Sequence, residues 1–271
     1  MAVTALHSAS TGLSALSTEL DVIANNLANS NTTGYKSSRA NFQDLFYLEK
    51  AQPGVENANG DQRPTGLYVG LGTKVSGTQL DFRLGPAHQT GRPLDVMIEG
   101  DGFFIVEVDP EFGDGRAYTR AGNFSLNADG EIVLASDQGR RVQPVIQIPE
   151  GVSESTISIS QDGRISVLEP GNVEPTELGV IELATFINPA GLRQIGENLY
   201  IPTVASGEPA EGEPRTDGRG GLMQGFIEGS NVDPVTELVS LIKTQRAFQM
   251  NSQVIQAADE TLQVVGTLRR F

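Results

Sequence analysis

Few residues in this chain are equipped for chemistry. Two histidines, His7 and His88, are too few for a histidine-rich metal site, and with no cysteine there is neither a thiolate nucleophile nor a zinc knuckle. Gly70-Leu71-Gly72-Thr73-Lys74 has the composition of a phosphate loop. A P-loop, however, needs Gly-Lys-Ser/Thr in that order ahead of a helix, and here a strand pattern follows. Asp-Gly pairs begin at 101, 114, 129, 162 and 217, but none has the Asp-x-Asn-x-Asp-Gly spacing of a calcium loop, and turn geometry accounts for them better. Asn31-Thr32-Thr33 and Asn123-Phe124-Ser125 match the glycosylation triplet, a pattern frequent by chance. Carboxylates are plentiful, so the enzymatic alternative is a paired-acid enzyme such as a secreted peptidoglycan hydrolase, which needs a cleft where acids converge. The expectation is a chain that is not an enzyme and uses no cofactor or metal.

The elements that would position such residues point to assembly instead. Leu6, Leu13, Leu20 and Leu27 fall seven apart, with Ala2, Ala9, Leu16 and Ile23 between them, an a/d pattern over residues 1–29. The positions between are small or polar, and the run ends in Asn25, Asn26 and Asn29. Near the other end, Asp233-Pro234 is a helix N-cap with proline in the first turn, supported by Glu237. There Leu241, Phe248, Ile255 and Leu262 are again seven apart, with Thr244, Asn251, Ala258 and Val265 between. Such narrow apolar seams gain little stability alone, so the helices should pair with each other, with other copies, or both. Asn251 in the seam costs stability and can fix register.

Net charge is −15, placed unevenly. Residues 1–50 and 233–271 are close to neutral, which suits close packing of like copies. The acidic middle favours solubility and argues against nucleic acid. Nothing approaches 18 apolar residues in a row, so no membrane insertion is expected. The first Lys or Arg is Lys36 and no apolar h-region follows the start, so export would use a route that reads no cleaved signal.

Between the helices the apolar period switches from heptad to two. Residues 37–50 fit a short helix or an extended arm, and 51–66 a turn-rich exposed segment. Strand patterns follow at 67–71, 75–82, 94–98, 102–108, 142–148, 178–187, 199–201 and 222–227, with hairpins turning at Asp129-Gly130 and Asp162-Gly163. Residues 205–221, rich in Gly, Pro and acids, read as a mobile loop. The fold class is α+β: an all-β body of short antiparallel strands flanked by long coiled-coil-type helices. The expected domains are a discontinuous helical polymerisation core (1–36 and 233–271), an arm (37–66) and a β-rich body (67–232).

Ala24-Asn25-Asn26-Leu27-Ala28-Asn29, then Thr33-Gly34-Tyr35-Lys36, resembles the signature of bacterial flagellar axial proteins of the rod and hook. Similarity continues through Phe42–Tyr47, Gln52-Pro53-Gly54, Gly66-Leu67, Gly70–Val75, Gly100–Phe104, Tyr118–Phe124, Gly196–Tyr200, Gln224–Val232, Gln245–Phe248 and Asn251-Ser252, where the distal-rod members of that family are the nearest fit. Tyr35 stands where many relatives have Phe. The resemblance implies a structural subunit, exported unprocessed by the flagellar type III apparatus, that polymerises helically into the distal rod between periplasm and outer membrane. Its partners would be other copies, the proximal rod proteins, the hook protein, the L and P ring proteins and the rod cap protein. A proximal rod or hook subunit is the near alternative. The interface residues expected are Leu6, Leu13, Leu16, Leu20, Ile23, Asn25, Asn26, Leu27 and Asn29 in the first helix and Leu241, Phe248, Asn251, Ile255 and Leu262 in the last, with the asparagines bonding across subunits. A drive shaft must resist the sliding of subunits that bending requires. Residues 48–66 would supply an arm for this, with Leu48 and Val55 as anchors and Pro53, Pro64 and the Asn59-Gly60 turn limiting its conformations.

Overall fold

The computed structural model describes residues 2–55, 62–149, 151–169 and 174–268; the Asn59-Gly60 turn lies outside them. The chain forms an α+β structure of two long helices and many short antiparallel strands, divided into two compact units. Unit 1 comprises residues 1–28, 38–79 and 233–271, and unit 2 comprises 29–37 and 80–232. Among the described residues no helix is long and apolar enough to cross a membrane.

Unit 1 opens with α1 (Ala2–Ala28). A two-stranded ribbon follows: β1 (Ser38–Asp44) and β2 (Tyr47–Ala51) lead out, β3 (Leu67–Gly70) and β4 (Thr73–Leu80) return. β2 pairs β3 and β1 pairs β4. The ladder continues through the bend between the pairs, where Leu45 N–H donates to Gly72 O and Leu71 N–H to Phe46 O. Residues 37–50 are therefore extended rather than helical.

Unit 2 carries β5 (Ala87–Gln89), β6 (Val96–Glu99), β7 (Phe103–Glu107), β8 (Arg116–Thr119), β9 (Phe124–Leu126), β10 (Ile132–Leu134) and β11 (Val142–Gln143). It continues with β12 (Ile157–Ile159), β13 (Arg164–Val167), β14 (Thr176–Val180), β15 (Leu183–Thr185), β16 (Arg193–Gly196), β17 (Leu199–Ile201), β18 (Ala210–Gly212), β19 (Gly221–Gln224) and β20 (Phe226–Glu228). The largest sheet runs β16-β17-β8-β7-β15-β18, with β11 also on β7. Its central strand explains the unbroken apolar run Phe103–Val106. Phe104 and Val106 enter one buried cluster, Phe103 and Ile105 another, so both faces of β7 are covered. The β9–β10 and β12–β13 hairpins lie where expected, and the glycine of all five Asp-Gly pairs has positive φ, as tight turns require.

Residues 205–221 are a correction. They hold β18 paired to β15, and the buried Arg219 guanidinium donates to Ala210 O, Glu211 O and Thr216 Oγ1. One side chain supplies enough donors to order a stretch whose composition alone reads as mobile. The chain then leaves unit 2 and ends in α2 (Pro234–Leu268), capped by Asp233, whose carboxylate accepts from Val235 N–H and Thr236 Oγ1.

Candidate subunit interface

Within unit 1, α1 and α2 lie against each other antiparallel. Asn26 Nδ2 donates to Glu237 Oε1 at 3.2 Å, and fourteen residues along each helix a Cβ placed on Gly12 would come 3.1 Å from Asn251 Nδ2. On α2 the positions turned to α1 are Leu241, Thr244, Phe248, Asn251, Ile255 and Ala258, all half-buried or buried. Leu262 is exposed, because the same register carries it past the start of α1. On α1 the fully buried residues include Ala9, Gly12, Ala15, Ile23 and Asn26, whereas Leu6, Leu13, Leu16, Leu20 and Leu27 are half-buried along the flanks. Small side chains line the closest approach, which lets the backbones come near.

The other flank of α1 carries the ribbon. Gly72, at φ +110°, sits directly on Ser8 and Thr11, where any side chain would collide with the Thr11 hydroxyl. Ser8 Oγ donates to Gly70 O at 3.2 Å, and Thr73 N–H to Thr11 Oγ1 at 3.4 Å. The phosphate-loop look-alike is thus a docking bend. Asn26 makes a backbone-like pair with the start of β1, donating to Ser38 O at 2.7 Å and accepting from Ser38 N–H at 3.0 Å. Its amide is engaged within its own chain. Asn25 is exposed and Asn29 half-buried, the latter's Oδ1 accepting from Thr32 Oγ1.

Two parts of unit 1 expose large apolar side chains, on α2 interleaved with the exposed Lys243, Arg246, Gln249, Gln253 and Glu260. α2 exposes Val235, Leu238, Val239, Ile242, Met250, Val254 and Val264 away from α1. The ribbon exposes Phe42, Phe46, Tyr47, Leu48, Val55, Leu67 and Tyr68, while Pro53 and Pro64 lie exposed near its outer end.

Within unit 2, the signature residues meet in a buried charge cluster. Lys36 Nζ lies 2.6 Å from Glu228 Oε1, and Arg120 Nε lies 2.9 Å from Glu228 Oε2; Lys36 and Glu228 side chains are wholly inaccessible. Gly85 N–H donates to the same carboxylate, Lys36 also donates to Arg83 O, and Arg120 to Gly100 O and Gly102 O. Burial pushes the Glu228 carboxyl up, but the Arg120 guanidinium and the Lys36 ammonium, with the Gly85 N–H, outweigh it and hold the carboxyl below its ordinary range. Beside it, Asn231 accepts from Ser37 N–H and donates to Asp81 O and Arg83 O. Residues 29–37, 80–86 and 228–232, by which the chain enters and leaves the unit, are thereby fastened to one another. Gly34, at φ +70°, explains the Thr-Gly-Tyr-Lys motif: a Cβ there would fall 2.6 Å from Ala121 N.

Sequence reasoning did not single out Gly12, Ala15, Arg120, Glu228 or Asn231 for these roles. The available signals were the small residues at 9, 12 and 15 on one helix face and the presence of Lys36, Glu228 and Asn231 inside the quoted motifs.

Comparison with known proteins gives a consistent picture. Residues 6–36 match the family described as "Flagella basal body rod protein", 97–167 "Flagellar hook protein FlgE/F/G D1 domain", and 223–268 "Flagellar basal body rod FlgEFG protein C-terminal". The chain is 43% identical over 267 residues to the flagellar basal-body rod protein FlgG of Borreliella burgdorferi, covering 98% of each. It is 42% identical to the FlgG of Caulobacter vibrioides, over 98% of this chain and 99% of that one. The flagellar hook-basal body complex protein FlhP of Bacillus subtilis is 31% identical over 96% of this chain and 97% of its own.

Proposed function

Because the chain belongs to the FlgG family of flagellar basal-body rod proteins and is a structural subunit of that rod, we propose that its copies polymerise helically into the distal rod, a drive shaft carrying torque to the hook. The helices of unit 1 form the tube wall by coiled-coil-type packing, with the seam residues of both helices in contact between or within copies. The polymer is continuous with the proximal rod proteins and the hook protein, turns inside the L and P ring proteins, grows under a rod cap protein and is supplied by the type III export apparatus. It spans periplasm to outer membrane.

The observation that supports this reading is the row of exposed aliphatic side chains on the side of α2 away from α1. One face is used by α1, and the other, from Val235 to Val264, is uncovered in the single chain. The exposed side of α1 offers small residues, Ser10, Ser14, Ser17, Ala24 and Ala28, against which those aliphatics can pack in another copy. Val239→Asp should leave the helix pair and its circular dichroism intact yet prevent polymer formation, because a charge would have to be buried between copies. Polymers of normal length from this variant, seen by electron microscopy, would refute the reading.

Stiffness is assigned to the ribbon, with Leu48, Pro53, Val55 and Pro64 in its outer half. Since Leu71 N–H already bonds Phe46 O, residues 47–70 can be replaced by an Asn-Gly turn at a natural joint. The shortened chain should still polymerise, into a shaft with a several-fold lower bending persistence length. Equal persistence under identical imaging conditions would remove the ribbon from this role.

A further inference from the structure

Arg246 stands exposed in the middle of the aliphatic row on α2. It follows Val239 by seven residues and Ile242 by four, and precedes Met250 by four, so all four share one side of the helix. The other cation of α2, Lys243, is exposed three positions before it. The outward side of α1 is the converse. His7 and Asp21 stand there among Ser10, Ser14 and Ser17, and all five are exposed. The second carboxylate of α1, Glu19, is half-buried on the opposite side, seven residues after Gly12 and four before Ile23. Among the described residues neither Asp21 nor Arg246 has an ion-pair partner in its own chain.

We propose that Arg246 of one copy pairs with Asp21 of the next, and that this ion pair sets the register in which the aliphatic row of α2 lies on the small residues of α1. The proposal rests on the polymer reading above and names one contact within it. Covering Val239, Ile242 and Met250 with another copy takes Arg246 out of water along with them. A desolvated guanidinium needs an anion, and a carboxylate can accept two parallel hydrogen bonds from it. Asp21 is the exposed carboxylate of α1. The remaining charges on the two faces agree. Glu260 follows Arg246 by fourteen residues on α2, and His7 precedes Asp21 by fourteen on α1. Copies in one orientation bring α2 of one antiparallel to α1 of the next, so joining Arg246 to Asp21 also sets Glu260 against His7, an imidazole that can donate to a carboxylate. A stagger follows. Within one chain Asn26 meets Glu237, which puts Asp21 level with Ile242. Between copies Asp21 is level with Arg246, four residues further, so contacting copies are displaced along the helices by about 6 Å. A head-to-tail contact with such a displacement climbs instead of closing into a ring, as a helical shaft requires.

Charge reversal tests the pair. Arg246→Glu and Asp21→Arg, each alone, are expected to yield roughly tenfold less polymer than the unaltered chain, because like charges then meet at the contact. Arg246→Glu combined with Asp21→Arg should restore the yield. Arg246→Glu combined with Glu260→Arg, which has the same net charge, should not. Normal polymers from either single variant, no recovery in the first combination, or equal recovery in the second overturn the pair and leave the polymer reading standing. The circular dichroism of both single variants should equal that of the unaltered monomer. A lost helical signal means that the residue packs within its own chain, and that also overturns the pair. If the unaltered chain does not polymerise, the underlying reading falls and this contact with it.

Discussion

Glu228→Ala is expected to lower the melting temperature of unit 2 by roughly 10 °C. Its carboxylate lies between two buried cations, Lys36 at 2.6 Å and Arg120 at 2.9 Å. Removing one partner of a buried ion cluster costs about 3–5 kcal/mol because the remaining charge is stranded, and here two would be. In a domain of 150–250 residues each kcal/mol shifts the melting temperature by about 2–4 °C. Lys36→Met should cost less than half as much, since it leaves a balanced Arg120–Glu228 pair. Calorimetry giving equal losses for both, or none for Glu228→Ala, would show that the cluster is not what holds the segments together. The pH dependence carries a sign. A carboxyl held below its ordinary pKa contributes stability that is present above the unfolded value and is lost as pH falls through the folded one. Acid unfolding should therefore extend below the ordinary carboxylate range, and Glu228→Gln should remove that part of the profile.

Ile255→Asp and Leu13→Asp are expected to abolish polymerisation altogether and to reduce the helical signal, unlike Val239→Asp. Ile255 lies on the side of α2 turned to α1, and Leu13 flanks the closest approach beside Gly12. Either aspartate would have to be desolvated for the helices to meet, at a cost of several kcal/mol in order of magnitude. Helices without a partner stay marginal in water. Near-ultraviolet circular dichroism of unit 2 should be unchanged, which separates loss of assembly from loss of fold. Normal shafts from either variant would mean that these residues bear no packing load.

How far the sequence led depends on which forces are local. Both helices were legible because a heptad repeat is written in nearby residues; on α2, Leu241, Thr244, Phe248, Asn251, Ile255 and Ala258 of that repeat are at least half-buried, while Leu262 is exposed. On α1 it misdirects in part: leucines dominate the pattern, yet Ala9, Gly12 and Ala15 occupy the tightest positions, since closeness of backbones rewards small side chains. Strands 67–70 and 73–80 show in their alternation, but their pairing with 38–51 does not, because Phe42, Leu45, Phe46 and Leu48 follow no strict period and several face solvent. The charge cluster was invisible as a cluster. Lys36 and Glu228 are 192 residues apart, and a lone lysine or glutamate reads as solvated surface until the fold brings them together.

The helix pair joins residues 2–28 to residues 234–268, and the whole of unit 2 is strung between them. Closing so long a loop costs only logarithmically more than closing a short one, so the arrangement is thermodynamically cheap. What it adds is a test of integrity. A chain stopped anywhere ahead of residue 234 carries α1 without its mate. In the polymer proposed above, only a molecule that brings both helices is expected to be incorporated, so truncated chains should be missing from the shaft.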